Sequence, residues 1–233
     1  MMRTRIKFCG LVEPADVDAA VALGVDAIGL VFYARSSRVI DQRQAVELRR
    51  RIPSYVRCVG LFVDEAVHRV QALRDAVGLD LIQFHGDETV QQCELAAGKT
   101  PYWRAVRMRS RADLLESKAR YVTAEALLLD TFSAGYGGSG QSFDWSWVHP
   151  ESDAPYVMSG GLDVGTVGQA IERTAPLFVD VSSGIQTENP RKKDPTKMAE
   201  FVRRVLLQDA KSAAIIVDHN APSGTLQRRE ANQ

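Results

Sequence analysis

The residues of this chain that are equipped for chemistry fall at the ends of short apolar runs. The first is Cys9, at the end of Arg5-Ile6-Lys7-Phe8-Cys9-Gly10. Side chains alternate along a strand, so Lys7 and Cys9 share one face while Ile6 and Phe8 share the other. A lysine two residues before a cysteine on the same face favours the thiolate. The plain alternative is a buried structural cysteine, since free Cys packs as a small hydrophobe. Asp130 ends a second run, Leu127-Leu128-Leu129. Arg38 closes the polar turn Ser36-Ser37-Arg38, where a guanidinium can grip a carboxylate through two hydrogen bonds, with Arg35 as its competitor. Gly160 and Gly161 follow one run, and Ser182, Ser183 and Gly184 follow another. Bare backbone N–H groups at such places approach anions closely, which points to a phosphorylated ligand. A further Gly/Ser-rich stretch, Gly137-Gly138-Ser139-Gly140, lies beyond Asp130. His85 also follows a run, either as a site residue or as the side chain that orders the Gly86-Asp87 turn. Asp180 shares a face with Phe178 and Ser182, and either serves the site or neutralises Lys7. Lys192-Lys193 reads as a solvated charge pair rather than a phosphate anchor.

Positioning these residues takes a regular scaffold, and the apolar pattern supplies one. Strand-like runs at 5–9, 27–32, 57–63, 79–84, 102–106, 126–129, 156–158 and 177–181 alternate with helical patterns. The helical stretches are 15–23, 41–52, 65–77, 89–97, 111–119, 164–173 and 194–207. Strict alternation means a parallel sheet with helical crossovers. The expectation is an α/β fold, a single (β/α)8 TIM barrel over residues 1–207, with an open doubly wound sheet as the rival. The sixth unit departs from the pattern, because 131–150 carries glycine and aromatics where a helix is due. Functional groups of such barrels sit in the loops at the C-terminal strand ends, where every candidate above lies. Residues 208–233 break the period and read as a polar tail, partly disordered and dispensable for activity, with 213–217 able to add one strand or helical turn.

Composition excludes several classes. Twenty-nine basic and 29 acidic residues leave no net charge, so no global field points to nucleic acid or an anionic membrane. Three cysteines, Cys9, Cys58 and Cys93, occupy no metal-ligand spacing and cannot all pair, so neither a metal nor a disulfide framework is expected. No charged-then-apolar leader precedes the first strand and no apolar run approaches about 18 residues, so a cytoplasmic location is expected.

Taken together, the strand ends resemble phosphoribosylanthranilate isomerase, the barrel enzyme of tryptophan biosynthesis. The resemblance spans nearly the whole chain without its tail. It is carried by Lys7-Phe8-Cys9-Gly10, Gly29-Leu30-Val31-Phe32 through Ser37-Arg38, Val59-Gly60-Leu61-Phe62-Val63, and Gln83-Phe84-His85-Gly86-Asp87-Glu88. Leu128-Leu129-Asp130, Gly137-Gly138-Ser139-Gly140 with Phe143-Asp144-Trp145, Ser159-Gly160-Gly161-Leu162, and Val179-Asp180-Val181-Ser182-Ser183-Gly184 complete it. The resemblance implies Cys9 as general base, Asp130 as general acid and Arg38 as the anthranilate-binding arginine. The family usually has proline before that arginine, threonine at Ser139, and glutamate followed by Pro-Gly where this chain has Gln186 and a loop one residue longer.

The implied reaction is an Amadori rearrangement of an aminoaldose to an aminoketose. It needs an acid for the furanose ring oxygen, a base for the C2′ proton, and no metal, redox group or cofactor. The implied partner is a small phosphorylated substrate bearing an anthranilate carboxylate, acted on by a monomer or homodimer. His85, Gly160, Gly161, Asp180, Ser182, Ser183 and Gly184 join Arg38 as expected binding residues. The histidine-pathway isomerase performs the same rearrangement, but resembles a two-aspartate design that Cys9 does not match. A non-catalytic phospholigand binder would have no need of Cys9, Asp130 and Arg38 together.

Overall fold

The computed structural model describes residues 3–132, 142–149 and 155–219. Its eight strands are β1 (Arg5–Cys9), β2 (Ala27–Val31), β3 (Arg57–Phe62), β4 (Leu81–Phe84), β5 (Tyr102–Met108), β6 (Ala126–Thr131), β7 (Tyr156–Met158) and β8 (Phe178–Val181). All neighbours pair in parallel, and β8 returns to β1, closing the barrel. The open-sheet alternative is thereby excluded. At the closing seam Lys7 stands opposite Asp180, and on the other side of β1 Cys9 stands opposite Gly29.

Among the described residues seven helices wrap the barrel: α1 (Pro14–Ala22), α2 (Gln42–Arg49), α3 (Val67–Val77), α4 (Val90–Ala97), α5 (Arg111–Arg120), α6 (Val167–Thr174) and α7 (Pro195–His219). Local signals set several boundaries. Asp41 with Gln44 and Thr89 with Gln92 form capping boxes that satisfy the first N–H groups of α2 and α4. The sixth unit holds a 3-10 turn at Trp145–Trp147 among its described residues.

Alternation along the strands builds two cores. Ala27, Val59, Leu81, Trp103, Leu128, Val157 and Phe178 fill the barrel, while Ile6, Phe8 and their outward counterparts pack under the helices. Trp103 and Phe178 meet edge to face at 5.0 Å and plug the interior. Lys7, Cys9, Gln83, Asp130 and Asp180 follow on the C-terminal side of that plug, whereas Arg5, whose guanidinium lies 5.6 Å from the Phe178 ring, stands at the opposite end.

The C-terminus differs from expectation. The helix predicted to end at 207 runs on to His219, and Asp209 is tied to the start of β1. Its carboxylate accepts from the Thr4 backbone N–H at 2.8 Å and from the Thr4 hydroxyl at 2.7 Å. The periodicity ended early because buried contacts stop at Val205, yet nothing between 206 and 214 breaks a helix. The rest of the expected tail, 220–233, and the loop stretch Gly137-Gly138-Ser139-Gly140 lie outside the described residues. Among the described residues no helix is long and apolar enough to cross a membrane.

Candidate active site

Strand alternation delivers Lys7 and Cys9 to the barrel interior, as the sequence pattern requires. Their room comes from Gly29, where a Cβ would stand 2.7 Å from Cys9 Sγ and 3.2 Å from Lys7 Cε. Lys7 is completely buried, and its Nζ donates to Asp180 Oδ1 at 2.8 Å. Burial alone would lower the lysine pKa, but Asp180 and Cys9 outweigh it and hold the ammonium above its ordinary value. Ser159 donates to the other Asp180 oxygen at 3.3 Å. Asp180 thus neutralises Lys7.

Lys7 acts on Cys9 in the expected sense, favouring the thiolate, but it does not act alone. Burial is the largest influence on Cys9 and raises its pKa; Lys7 works in the other direction and does not prevail. Burial thus holds the Cys9 thiol above its ordinary value, while the cation beside it lowers the cost of ionisation.

Asp130 projects from the end of β6, with two strands, β7 and β8, between it and β1. It is buried, and among the described residues each of its oxygens has one partner. Oδ1 accepts from the Thr131 backbone N–H at 2.8 Å, and Oδ2 lies 3.0 Å from His85 Nε2. His85 therefore serves the aspartate. The Gly86-Asp87 turn is ordered by other side chains: Glu88 accepts from the Gly86 N–H at 3.0 Å and from the Asp64 N–H at 2.8 Å. Arg104 locks that arrangement, donating to Glu88 Oε2 and to the Gly86 carbonyl, both at 2.7 Å.

Gly160 sits against the same aspartate. Its φ is +75°, and a Cβ there would fall 2.4 Å from the Thr131 nitrogen and 2.7 Å from Asp130 Oδ1. Only glycine fits a left-handed backbone at such close range. The backbone N–H groups of Gly160, Gly161 and Ser183 donate to no group among the described residues, which leaves them available to an anion. Ser182 is committed differently, its hydroxyl donating to the Cys9 carbonyl at 2.9 Å. Gly184 bridges to Asp163, joining the loops that follow β7 and β8.

Arg38 is half-buried over the mouth, whereas its competitor Arg35 is exposed. The Arg38 guanidinium donates to Gln186 Oε1 at 2.5 Å, and its Nε is buried with no hydrogen-bond partner among the described residues. Burial lowers its pKa, and Cys9 acts in the opposite sense.

Lys193 overturns its expected place as a solvated charge. It is 2 % exposed, with Nζ donating to the Ser182 carbonyl at 2.9 Å and near the Ser182 hydroxyl at 3.3 Å. Its backbone N–H donates to Asp16 Oδ2. Burial, with Arg38 nearby, pushes the amine down to about 7. Gln83, quoted from the sequence only as part of the motif that ends β4 and given no role there, is fully buried beside His85. No group of three or more His, Cys, Asp or Glu side chains suited to a metal occurs among the described residues.

An inward thiol, a carboxyl group held by an imidazole, open N–H groups on two adjacent loops and a guanidinium at the mouth suit proton transfer on an anionic substrate. Comparison with known proteins gives that arrangement a family. Residues 6–204 match the family model described as N-(5'phosphoribosyl)anthranilate (PRA) isomerase. The N-(5'-phosphoribosyl)anthranilate isomerase of Ralstonia nicotianae is 48% identical over 225 residues, covering 92% of this chain and 97% of that protein. The Dechloromonas aromatica protein of the same name is 46% identical over 208 residues, covering 89% of this chain and 99% of its own length. Among solved structures, phosphoribosyl anthranilate isomerase from Thermotoga maritima superposes with a TM-score of 0.81 at 34% identity, over 87% of this chain and 98% of that one. Another such isomerase, crystallised with reduced 1-(o-carboxyphenylamino)-1-deoxyribulose 5-phosphate, has a TM-score of 0.78 at 32% identity, over 87% of this chain and 98% of that one. A family model matched across almost the whole barrel, with relatives that share both sequence and architecture, admits one conclusion: this chain belongs to the N-(5'-phosphoribosyl)anthranilate isomerase family.

Proposed function

We infer that the chain isomerises N-(5-phosphoribosyl)anthranilate to 1-(2-carboxyphenylamino)-1-deoxyribulose 5-phosphate in tryptophan biosynthesis. The observation that carries the reading is the family match over residues 6–204. In the mechanism we propose, Asp130 protonates the furanose ring oxygen and the ring opens to an iminium. Cys9, its own thiol proton having passed to solvent, then takes the C2′ proton as a thiolate, and the resulting enolamine tautomerises to the aminoketose. Two features support Cys9 as base although burial raises its pKa. Lys7 lies beside it, and the iminium brings a second positive charge when the base is needed. Asp130, beyond the short arc of β7 and β8, approaches the same substrate from another side.

Binding groups fit the two anionic ends of such a substrate. The open N–H groups of Gly160, Gly161 and Ser183 suit the phosphate, with Ser182 and Gly184 shaping that loop. Arg38 suits the carboxylate, and fixing both ends supplies orientation. His85 and Asp180 act through Asp130 and Lys7 rather than on substrate. All three cysteines are buried and free, which suits a reducing compartment such as the cytoplasm.

The test is fluorimetric loss of N-(5-phosphoribosyl)anthranilate in the presence of the full chain. Cys9→Ser and Asp130→Asn are each expected to lower turnover at least about 100-fold. No turnover by the unmodified chain would refute the function; full turnover by either variant would refute that residue's role.

A further inference from the structure

Three buried polar side chains follow one another from the barrel interior to the site. Gln83, on the inward face of β4, is fully buried, and its amide Nε2 lies 3.0 Å from His85 Nδ1. His85 Nε2 lies 3.0 Å from Asp130 Oδ2. The orientation of the Gln83 amide decides where the protons of this chain reside. Gln83 Oε1 is buried and has no partner among the described residues. Turned over, the amide would put its NH2 group there and leave two N–H donors unpaired in place of one carbonyl oxygen and one N–H. An under-satisfied buried carbonyl is the more tolerable of the two. The amide therefore donates to Nδ1. A ring nitrogen that accepts a hydrogen bond carries no proton, so the neutral imidazole has its proton on Nε2 and donates to Asp130.

We infer that Gln83 locks His85 in the Nε2–H tautomer, making His85 a permanent donor to Asp130 and a positioning residue for the proton transfer. The inference rests on the proposed reading of Asp130 as the acid. With the His85-facing lone pair of Oδ2 occupied and one lone pair of Oδ1 taken by the Thr131 N–H, the transferable proton resides on a lone pair turned away from both donors. Protons balance across the step. Asp130 gives one proton to the ring oxygen, and His85 neither gains nor loses one. The Nε2–H bond strengthens as the carboxyl becomes a carboxylate, so it favours the product side of the transfer.

The tautomer is read directly by NMR of the full chain labelled with 15N-histidine, with the His85 signals assigned from His85→Gln. The expected result is a neutral imidazole protonated at Nε2; an Nδ1–H tautomer or an imidazolium overturns the inference. Kinetics give the second reading. Gln83→Glu places a carboxylate on Nδ1, which must draw a proton there, charge the ring and keep Asp130 ionised. Its kcat is expected to fall about 100-fold while KM stays within about threefold. An imidazolium in Gln83→Glu with kcat unchanged would overturn the proposal. Should Gln83→Glu fail to fold, Gln83→Met carries the test, because it removes the lock without adding charge. It is expected to show mixed tautomers, and a pure Nε2–H signal would show that Gln83 locks nothing. Asp130→Asn is measured alongside. If that variant keeps its turnover, the acid assignment fails, whereas the tautomer found by NMR stands or falls on its own.

Discussion

Lys7→Met would separate what the buried ion pair does for the fold from what it does for the reaction. Lys7 and Asp180 lie 2.8 Å apart with side chains 0% and 6% exposed. Their attraction at an effective dielectric constant of about 20 is roughly 6 kcal/mol, against which both desolvation penalties are set. Removing the lysine abolishes the attraction and leaves the carboxylate buried, with the Ser159 hydroxyl at 3.3 Å as its remaining hydrogen-bond donor. The expected loss is about 3–5 kcal/mol, a large part of the roughly 5–15 kcal/mol that holds a domain folded. Urea unfolding followed by circular dichroism reads it. Lys7→Met with Asp180→Leu removes both charges and should regain most of that stability. Turnover should not return in the double variant, since Cys9 still lacks its adjacent cation. A single variant that loses under about 1 kcal/mol, or a double variant less stable than the single, would refute the reasoning.

Three further outcomes follow from the same structure. Cys9 binds its proton more tightly folded than unfolded, so the rate of its alkylation by iodoacetamide should keep rising with pH to beyond the ordinary thiol value of 9.0. An alkylation midpoint well below 9.0 would contradict this. Lys193 behaves oppositely to a paired lysine, because its folded pKa of about 7 lies below the unfolded 10.5. Between those values the unfolded chain binds more protons, so stability falls as pH drops from 10.5 to about 7 and levels off below. Lys193→Met should therefore gain relative stability over that descent, by up to about 1.4 kcal/mol per pH unit, and a flat difference in urea midpoint would count against it. A chain ended after Leu207 should lose about 1–3 kcal/mol, because the Thr4 N–H and hydroxyl lose Asp209, while one ended after His219 should match the full chain in urea.

The barrel was legible because its instructions are local and repeated. Alternating runs such as Ile6 and Phe8 against Lys7 and Cys9 specify which side chains face inward without reference to any distant residue. The main chemical groups were legible for the same reason, each standing at a strand end. What stayed hidden depends on contacts between residues far apart in the chain. Lys193 looks like half of a solvated pair until the loop after β8 folds under Ser182. The His85 ring finds its partner 45 residues away on β6, a contact of which its adjacent turn gave no sign. The protonation of Cys9 depends on the balance of burial against Lys7, and burial is a property of the closed barrel.

The β1–β8 seam has a consequence for the chain as it is made. Lys7 and Asp180 are 173 positions apart, so β1 leaves the ribosome long before its partner exists. Throughout that interval β1 presents an open sheet edge, the kind of surface that recruits other nascent chains. A charged side chain on the inward face of such an edge makes pairing with a stray strand costly, because the stray strand would have to bury an unmatched ammonium. Only a strand that brings a carboxylate into register removes that cost, and β8 does so with Asp180. The lysine beneath the site thus doubles as a gatekeeper during synthesis, refusing the wrong neighbours until the last strand arrives.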